Sequence, residues 1–132
     1  MPIKVLIVDD HAFVRMSLQQ LLDANDDICV VGACGDGSEV IPAAEQLAPD
    51  VVLMDVRMPN MNGLEATQAL LAVRPEVRVL FLTGTFDRSY TAAVKEMGAV
   101  GMILKGDDPS ALPDRIRAVA AGETVWSRSI HV

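Results

Sequence analysis

Only two cysteines occur in the 132 residues, Cys29 and Cys34. They sit five positions apart in one β-type run. Simple alternation therefore predicts side chains on opposite faces, out of reach of a disulfide, and reads both as reduced core residues. A lone pair at that spacing, with no second pair, is a weak metal signal. No apolar run approaches the roughly 20 residues needed to cross a bilayer. The longest, Ile28 to Cys34, has seven residues and includes Gly32. The opening Met-Pro-Ile-Lys passes straight into a strand pattern with no secretory signal, which predicts a cytoplasmic protein with no membrane contact. Positive charge is scarce as well: 11 Lys and Arg stand against 18 Asp and Glu, a net charge of -7. The basic residues are scattered singly, so the clustered positive surface that direct nucleic-acid binding needs is missing.

Apolar residues, by contrast, make up 51% of the chain and charged residues 22%, enough for one globular domain whose core needs no disulfide or metal. Five short β-type runs recur, at Val5–Val8, Cys29–Cys34, Val51–Met54, Val79–Leu82 and Gly101–Leu104. After each comes an amphipathic stretch of helical length: Ala12–Ala24, Ser38–Leu47, Leu64–Val73, Ser89–Met97 and Ser110–Ala121. Unbroken apolar strands such as Val-Leu-Ile-Val suit a parallel sheet covered on both faces. The alternation predicts an α/β, doubly wound domain. Pro49 and Pro75 before strands, Gly98 and Gly122 after helices, and Asp108-Pro109-Ser110 at a helix start mark the boundaries. Residues 123–132, which include Trp126, show no period and read as a terminal extension or the start of an interdomain linker, leaving 1–122 as the domain proper.

In an open parallel sheet, ligands bind outside the carboxyl ends of the strands. The residues leaving the strands here are Asp9 and Asp10, Asp55, Thr83 and Lys105. Three carboxylates drawn together repel one another unless their pKa values rise or a cation neutralises them. A hard divalent ion suits such an all-oxygen set, and Mg2+ fits a small acidic cluster better than a Ca2+ cage, since it keeps several waters and accepts phosphate oxygens. A carboxylate can also attack phosphorus to give an aspartyl phosphate. Lys105 and the Thr83 hydroxyl would then bind the transferred group's oxygens, in chemistry that rests on positioning and charge neutralisation.

These residues lie in recognisable motifs: Val-Leu-Ile-Val-Asp-Asp-His at 5–11, Val-Val-Leu-Met-Asp-Val-Arg-Met-Pro-Asn-Met-Asn-Gly-Leu-Glu at 51–65, Leu-Thr-Gly at 82–84 and Gly-Ala-Val-Gly-Met-Ile-Leu-Lys at 98–105. In them the chain resembles the receiver domain of bacterial two-component response regulators, over essentially Ile3 to Gly122. The resemblance implies a flavodoxin-like sheet of five parallel strands in the order 2-1-3-4-5, with five helices. It makes Asp55 the phosphoacceptor, a phosphoprotein site fed by a histidine kinase, and Thr83 and Lys105 its phosphoryl contacts. It makes Asp9, Asp10, Asp55 and, through its backbone carbonyl, Arg57 the Mg2+ residues. It implies a regulatory domain, not an enzyme proper, that assists its own phosphorylation and dephosphorylation.

Asp-Asp-His after the first strand and Asp-Val-Arg-Met-Pro after the third resemble the subfamily with a C-terminal LuxR-type helix-turn-helix output domain. In a full-length protein of that kind, phosphorylation would switch dimerisation or the activity of its own C-terminal DNA-binding domain and so control transcription. The chain stops at Val132, where a linker would begin, which predicts either an excised or a stand-alone receiver. Two positions depart from the family pattern. Met102 stands where Tyr or Phe is usual, and Gly106 follows Lys105 where Pro is common. His11 reads as a loop residue that could touch a metal's water shell.

Two other functions stay open on the sequence. An Mg-dependent phosphohydrolase with an aspartyl nucleophile would use the same carboxylates, but usually carries a second acid two residues on, where this chain has Arg57. A receiver-like binding module that works without phosphate would not need Asp9, Asp10, Asp55, Thr83 and Lys105 together.

Overall fold

Alternate residues of each central strand are sorted between two separate cores, which fixes the architecture. The computed structural model describes residues 2–58, 60–84 and 88–126, with 88–90 described by backbone alone. Six parallel strands form one sheet: β1 (Ile3–Val8), β2 (Ile28–Cys34), β3 (Val51–Met54), β4 (Arg78–Thr83), β5 (Gly101–Leu104) and β6 (Val125–Trp126), in the order 2-1-3-4-5-6. Five helices connect them: α1 (Ala12–Asp23), α2 (Val40–Leu47), α3 (Gly63–Val73), α4 (Arg88–Glu96) and α5 (Leu112–Ala120). On one face Leu6, Val52, Val79 and Met102 pack with Val40 and Ala44 of α2, Ala66 and Leu70 of α3 and Val94 of α4. On the other Val5, Ile7, Leu53, Leu80 and Ile103 pack with Leu22 of α1 and Leu112, Ile116 and Val119 of α5. A parallel sheet buries both faces this way, which is why its strands read as continuous apolar runs.

Local chemistry sets the element ends. The Asn62 side chain accepts from the Glu65 amide at 2.9 Å and caps α3. Asp36 and Asp108 accept from the amides of Ser38 and Ser110, each opening a 3-10 turn, so α2 and α5 begin two residues later than periodicity suggests. Among the described residues no helix is long and apolar enough to span a membrane.

Three expectations need correction. A sixth strand joins the expected order: Val125 and Trp126 pair with Gly101 and Met102, so part of the expected extension belongs to the sheet, while residues 127–132 lie outside the described set. The cysteines do not lie on opposite faces. The β1–β2 register slips between Val5 and Leu6, where Val31 is left over, and pairs Lys4 with Cys29 but Val8 with Cys34. An extra residue reverses the alternation beyond it. Both cysteines thus share a face, about 13 Å apart along the strand, too far for a disulfide. Both are free, and Cys29 is exposed rather than in the core. Cys34 is buried, and its thiol is pushed up to about 11, mainly by desolvation and further by Glu39.

Candidate functional site

The strand order reverses between β2-β1 and β3, and the residues just past β1 and β3 open onto that switch point. Asp9 follows β1, with its amide bonded to the Cys34 carbonyl at 3.0 Å. Asp55 follows β3, with its amide on the Val8 carbonyl at 2.9 Å. Both aspartates therefore extend the sheet ladder by one residue, and both are buried, Asp9 at 2% and Asp55 at 5% exposure. Ladder bonding holds their backbones, so the carboxylates are aimed before any ligand arrives.

Lys105 enters from β5. Its amide donates to the Thr83 carbonyl at 2.7 Å, continuing the β4–β5 ladder. Its ammonium lies 2.7 Å from Asp9 Oδ2 and 3.5 Å from Asp55 Oδ2, so the cation bridges the two acids. Thr83 ends β4 as a buried residue. The Arg57 amide donates to Asp55 Oδ1 at 3.4 Å. No cis peptide bond occurs among the described residues, so Lys105–Gly106 is trans.

Asp9, Asp10, His11 and Asp55 gather one potential ligand atom each within 4.8 Å of one another, a group that could hold a metal ion. Asp10 Oδ1 is buried with no hydrogen bond, although His11 Nδ1 lies 3.1 Å away. A buried carboxylate oxygen without a donor is costly, and a cation removes that cost. Three carboxylates against the one ammonium of Lys105 leave about two negative charges, the complement of a divalent ion. The donor set is mostly hard oxygen, and the residues present therefore fit a divalent cation of the Mg2+ class.

Burial, and then the field of Asp9, raise the pKa of Asp55, while Lys105 and the Arg57 amide pull it back. Burial alone would lower the pKa of Lys105. The hydrogen bond to Asp9 and the field of Asp55 outweigh it and hold the ammonium charged.

Three contributors were legible in the sequence only in part or not at all. His11 caps the start of α1 with an extended backbone, and its amide donates to Asp9 Oδ1 at 2.9 Å, which makes it part of the cluster rather than a plain loop residue. Arg15, one turn into α1, donates to the Asp9 carbonyl at 2.6 Å. Gly63, which follows Asn62 at the start of α3, meets the Asp55 backbone so closely that a Cβ there would collide with the Asp55 carbonyl. Of the loop residues after Asp55, Met58 is buried, Met61 packs on the core, and Pro59 lies outside the described residues. Trp126 packs back on the domain. Beside Lys105, an apolar cavity of about 220 Å³ opens between α1 and the β5–α5 loop, lined by Phe13, Leu18, Leu104 and Leu112 among others.

The family model for the response regulator receiver domain matches residues 5–117. The chain is 40% identical over 121 residues to the transcriptional regulatory protein LiaR of Bacillus subtilis, covering 92% of this chain and 57% of that one. It is 39% identical over 128 residues to the response regulator GacA of Pseudomonas syringae, covering 97% and 60%. It thus spans about three fifths of the length of these curated relatives. A LuxR-family two-component response regulator from Aurantimonas sp. superposes with a TM-score of 0.93 at 29% identity, over 98% of this chain and 93% of that one.

Proposed function

The chain belongs to the response regulator receiver family, and from that premise we propose that Asp55 is its phosphoacceptor, with Thr83 and Lys105 as phosphoryl contacts. The observation that carries the proposal is the setting of Asp55: a buried carboxylate at the switch point, 3.5 Å from an ammonium and beside an acidic pair that suits a divalent cation. A carboxylate oxygen of Asp55 attacks the phosphorus of a phosphohistidine on a histidine kinase. The P–O bond forms as the P–N bond breaks, and the electron pair leaves with the donor imidazole, which then takes up a proton. Lys105 lies where it can neutralise the phosphoryl oxygens, and the Thr83 hydroxyl is the neutral donor for them. Asp9, Asp10, Asp55 and the Arg57 carbonyl would hold Mg2+, which would add positive charge against those oxygens. The same groups, with water as acceptor, support slow loss of the phosphoryl group, so the domain assists both reactions as a regulatory part and not as an enzyme with turnover.

The exposed Phe13 of α1 lines the apolar cavity that Lys105 also lines, and we infer that it offers a donor protein an apolar surface beside the site. The relatives' names support a transcription regulator, and on this reading phosphorylation of Asp55 switches dimerisation or an output domain of the full-length protein, in the cytoplasm. Arg57, two residues past Asp55, argues against an Asp-x-Asp phosphohydrolase.

Incubation with acetyl phosphate and Mg2+ is expected to add one phosphoryl group to the wild-type chain and none to Asp55→Asn. Excess chelator is expected to suppress the labelling. Equal labelling of the two proteins sinks the assignment, and undiminished labelling in chelator sinks the metal's part.

A further inference from the structure

The Val56–Arg57 peptide is pinned from both sides. Its amide donates to Asp55 Oδ1 at 3.4 Å, and its carbonyl accepts from the Gly63 amide at 2.8 Å. The Asp55 carboxylate and the Arg57 backbone therefore depend on where residues 60–63 lie. The connection between β2 and α2, which gives no group to the site, bears on those residues at two points. The Asn60 side-chain amide donates to Asp36 Oδ2 at 2.6 Å, across 24 positions of sequence. Gly37, buried at the start of the 3-10 turn, lies so close to Met61 that a Cβ there would collide with the Met61 carbonyl and press on Ala66 of α3. Asp36 is anchored in turn. Its Oδ1 accepts from the Ser38 amide at 3.1 Å, and the hydrogen bond from Asn60, ahead of the others, holds its carboxyl below the usual range. The same connection meets the other acidic loop, since a Cβ on Gly35 would stand 3.1 Å from the guanidinium of Arg15, which donates to the Asp9 carbonyl.

We propose that Asp36 is a positioning residue for the Mg2+ ligands, and that its clasp on Asn60 braces the loop that follows Asp55. The inference rests on the metal reading above. A loop without such a clasp samples several backbone arrangements, and only those that bring the Arg57 carbonyl and the Asp55 carboxylate to one ion bind it. A hydrogen bond to an ionised acceptor, together with the close contact of Gly37 and Met61, narrows that set before the ion arrives. The cost of ordering then falls on folding instead of on binding. Losing the clasp lowers the populated fraction of the competent arrangement and weakens ion binding in proportion. A brace that served stability alone would change the melting temperature and leave the metal affinity as it was.

The experiment follows thermal melts of the 132-residue chain across a series of Mg2+ concentrations. The metal-free melting temperature reports stability, and the Mg2+ dependence of the shift reports affinity. Asn60 is exposed, so Asn60→Ala folds; it removes the clasp and leaves the contact of Asp36 with Ser38. Asp36→Ala removes both. Each variant is expected to raise the dissociation constant for Mg2+ by about three- to tenfold, less than the roughly 10- to 100-fold typical where the direct partner of a metal ligand is lost. The double variant is expected to match Asp36→Ala, because the two side chains act as one unit. An unchanged Mg2+ affinity in Asn60→Ala, whatever its melting temperature, overturns the brace and leaves the metal reading standing. Fully additive losses in the double variant also overturn it, since the two residues would then act apart. A wild type with no Mg2+ shift overturns the metal reading and the brace together.

Discussion

At Asp55, binding chemistry and folding stability pull in opposite directions. Its carboxyl is buried beside Asp9, and both effects raise its pKa in the folded state. A carboxyl that holds its proton more tightly folded than unfolded makes stability fall as pH rises through the interval between the two values. Above that interval the ionised group is a net cost to the metal-free protein. Asp55→Asn removes the charge and keeps an oxygen for Lys105. The melting temperature of the metal-free variant is therefore expected to exceed the wild type's by about 2–5 °C at neutral pH, the effect of roughly 1 kcal/mol in a domain of this size. The gain should shrink as pH falls through the raised Asp55 pKa, because the wild-type carboxyl then becomes neutral too. Paired thermal melts across pH, in chelator, test this; a gain that grows toward acid pH contradicts the assigned cause. Lys105 shows the same tension resolved the other way, since its two acidic partners outweigh its burial.

At the scale of elements, the start of α3 is positioned by what Gly63 lacks. Its amide donates to the Val56 carbonyl at 2.8 Å, and the helix start presses on the Asp55 backbone with no room for a side chain. The demand is for space, so any added carbon must move either α3 or Asp55. Gly63→Ala is expected to cost about 1–3 kcal/mol, the usual range for an overpacked site, and to lower the rate of Asp55 labelling as well. Denaturant melts and labelling rates check the two effects separately; a variant with wild-type stability and labelling rate would show that the loop absorbs the methyl group freely. The α4–β5 seam is a contrasting case. Met102, at the position where the resemblance leads one to expect Tyr or Phe, fills the fully buried space under Thr91 with a flexible side chain. On the opposite face Arg117 of α5 reaches Asp27 at 2.6 Å and Asn25 at 3.0 Å, tying the last helix to the α1–β2 connection.

For the whole molecule, the acidic cluster links folding to cation binding. The carboxylates are brought within 4.8 Å of one another only by the folded sheet, so an ion that binds them stabilises the native state alone. At a Mg2+ concentration about 100 times the dissociation constant the gain is about 2.7 kcal/mol, a rise on the order of 10 °C in melting temperature. Asp10→Asn is expected to lose most of that shift, and monovalent salt at matched ionic strength to produce little of it. Melts with and without Mg2+ decide the point; an equal Mg2+ shift in Asp10→Asn would remove Asp10 from the metal's ligands.

The sequence by itself determined the order of strands and helices, the two-faced burial of the sheet, and the five polar residues at the strand ends. Each of those signals is local: an apolar run, a helical period, a residue one step past a strand. Only the tertiary structure decided how the residues meet. The slip at Val31 puts Cys29 and Cys34 on one face, a pairing between β1 and β2 that alternation within one strand cannot show. The contacts of Arg15, His11 and Gly63 with Asp9 and Asp55 likewise appear only in the folded chain. The two residues of β6 are too few to give a period; they form a strand because the open edge of β5 supplies partners for their backbone. Period and composition are properties of a segment, whereas register, close approach and charge clustering belong to pairs of segments, and those exist only once the chain has folded.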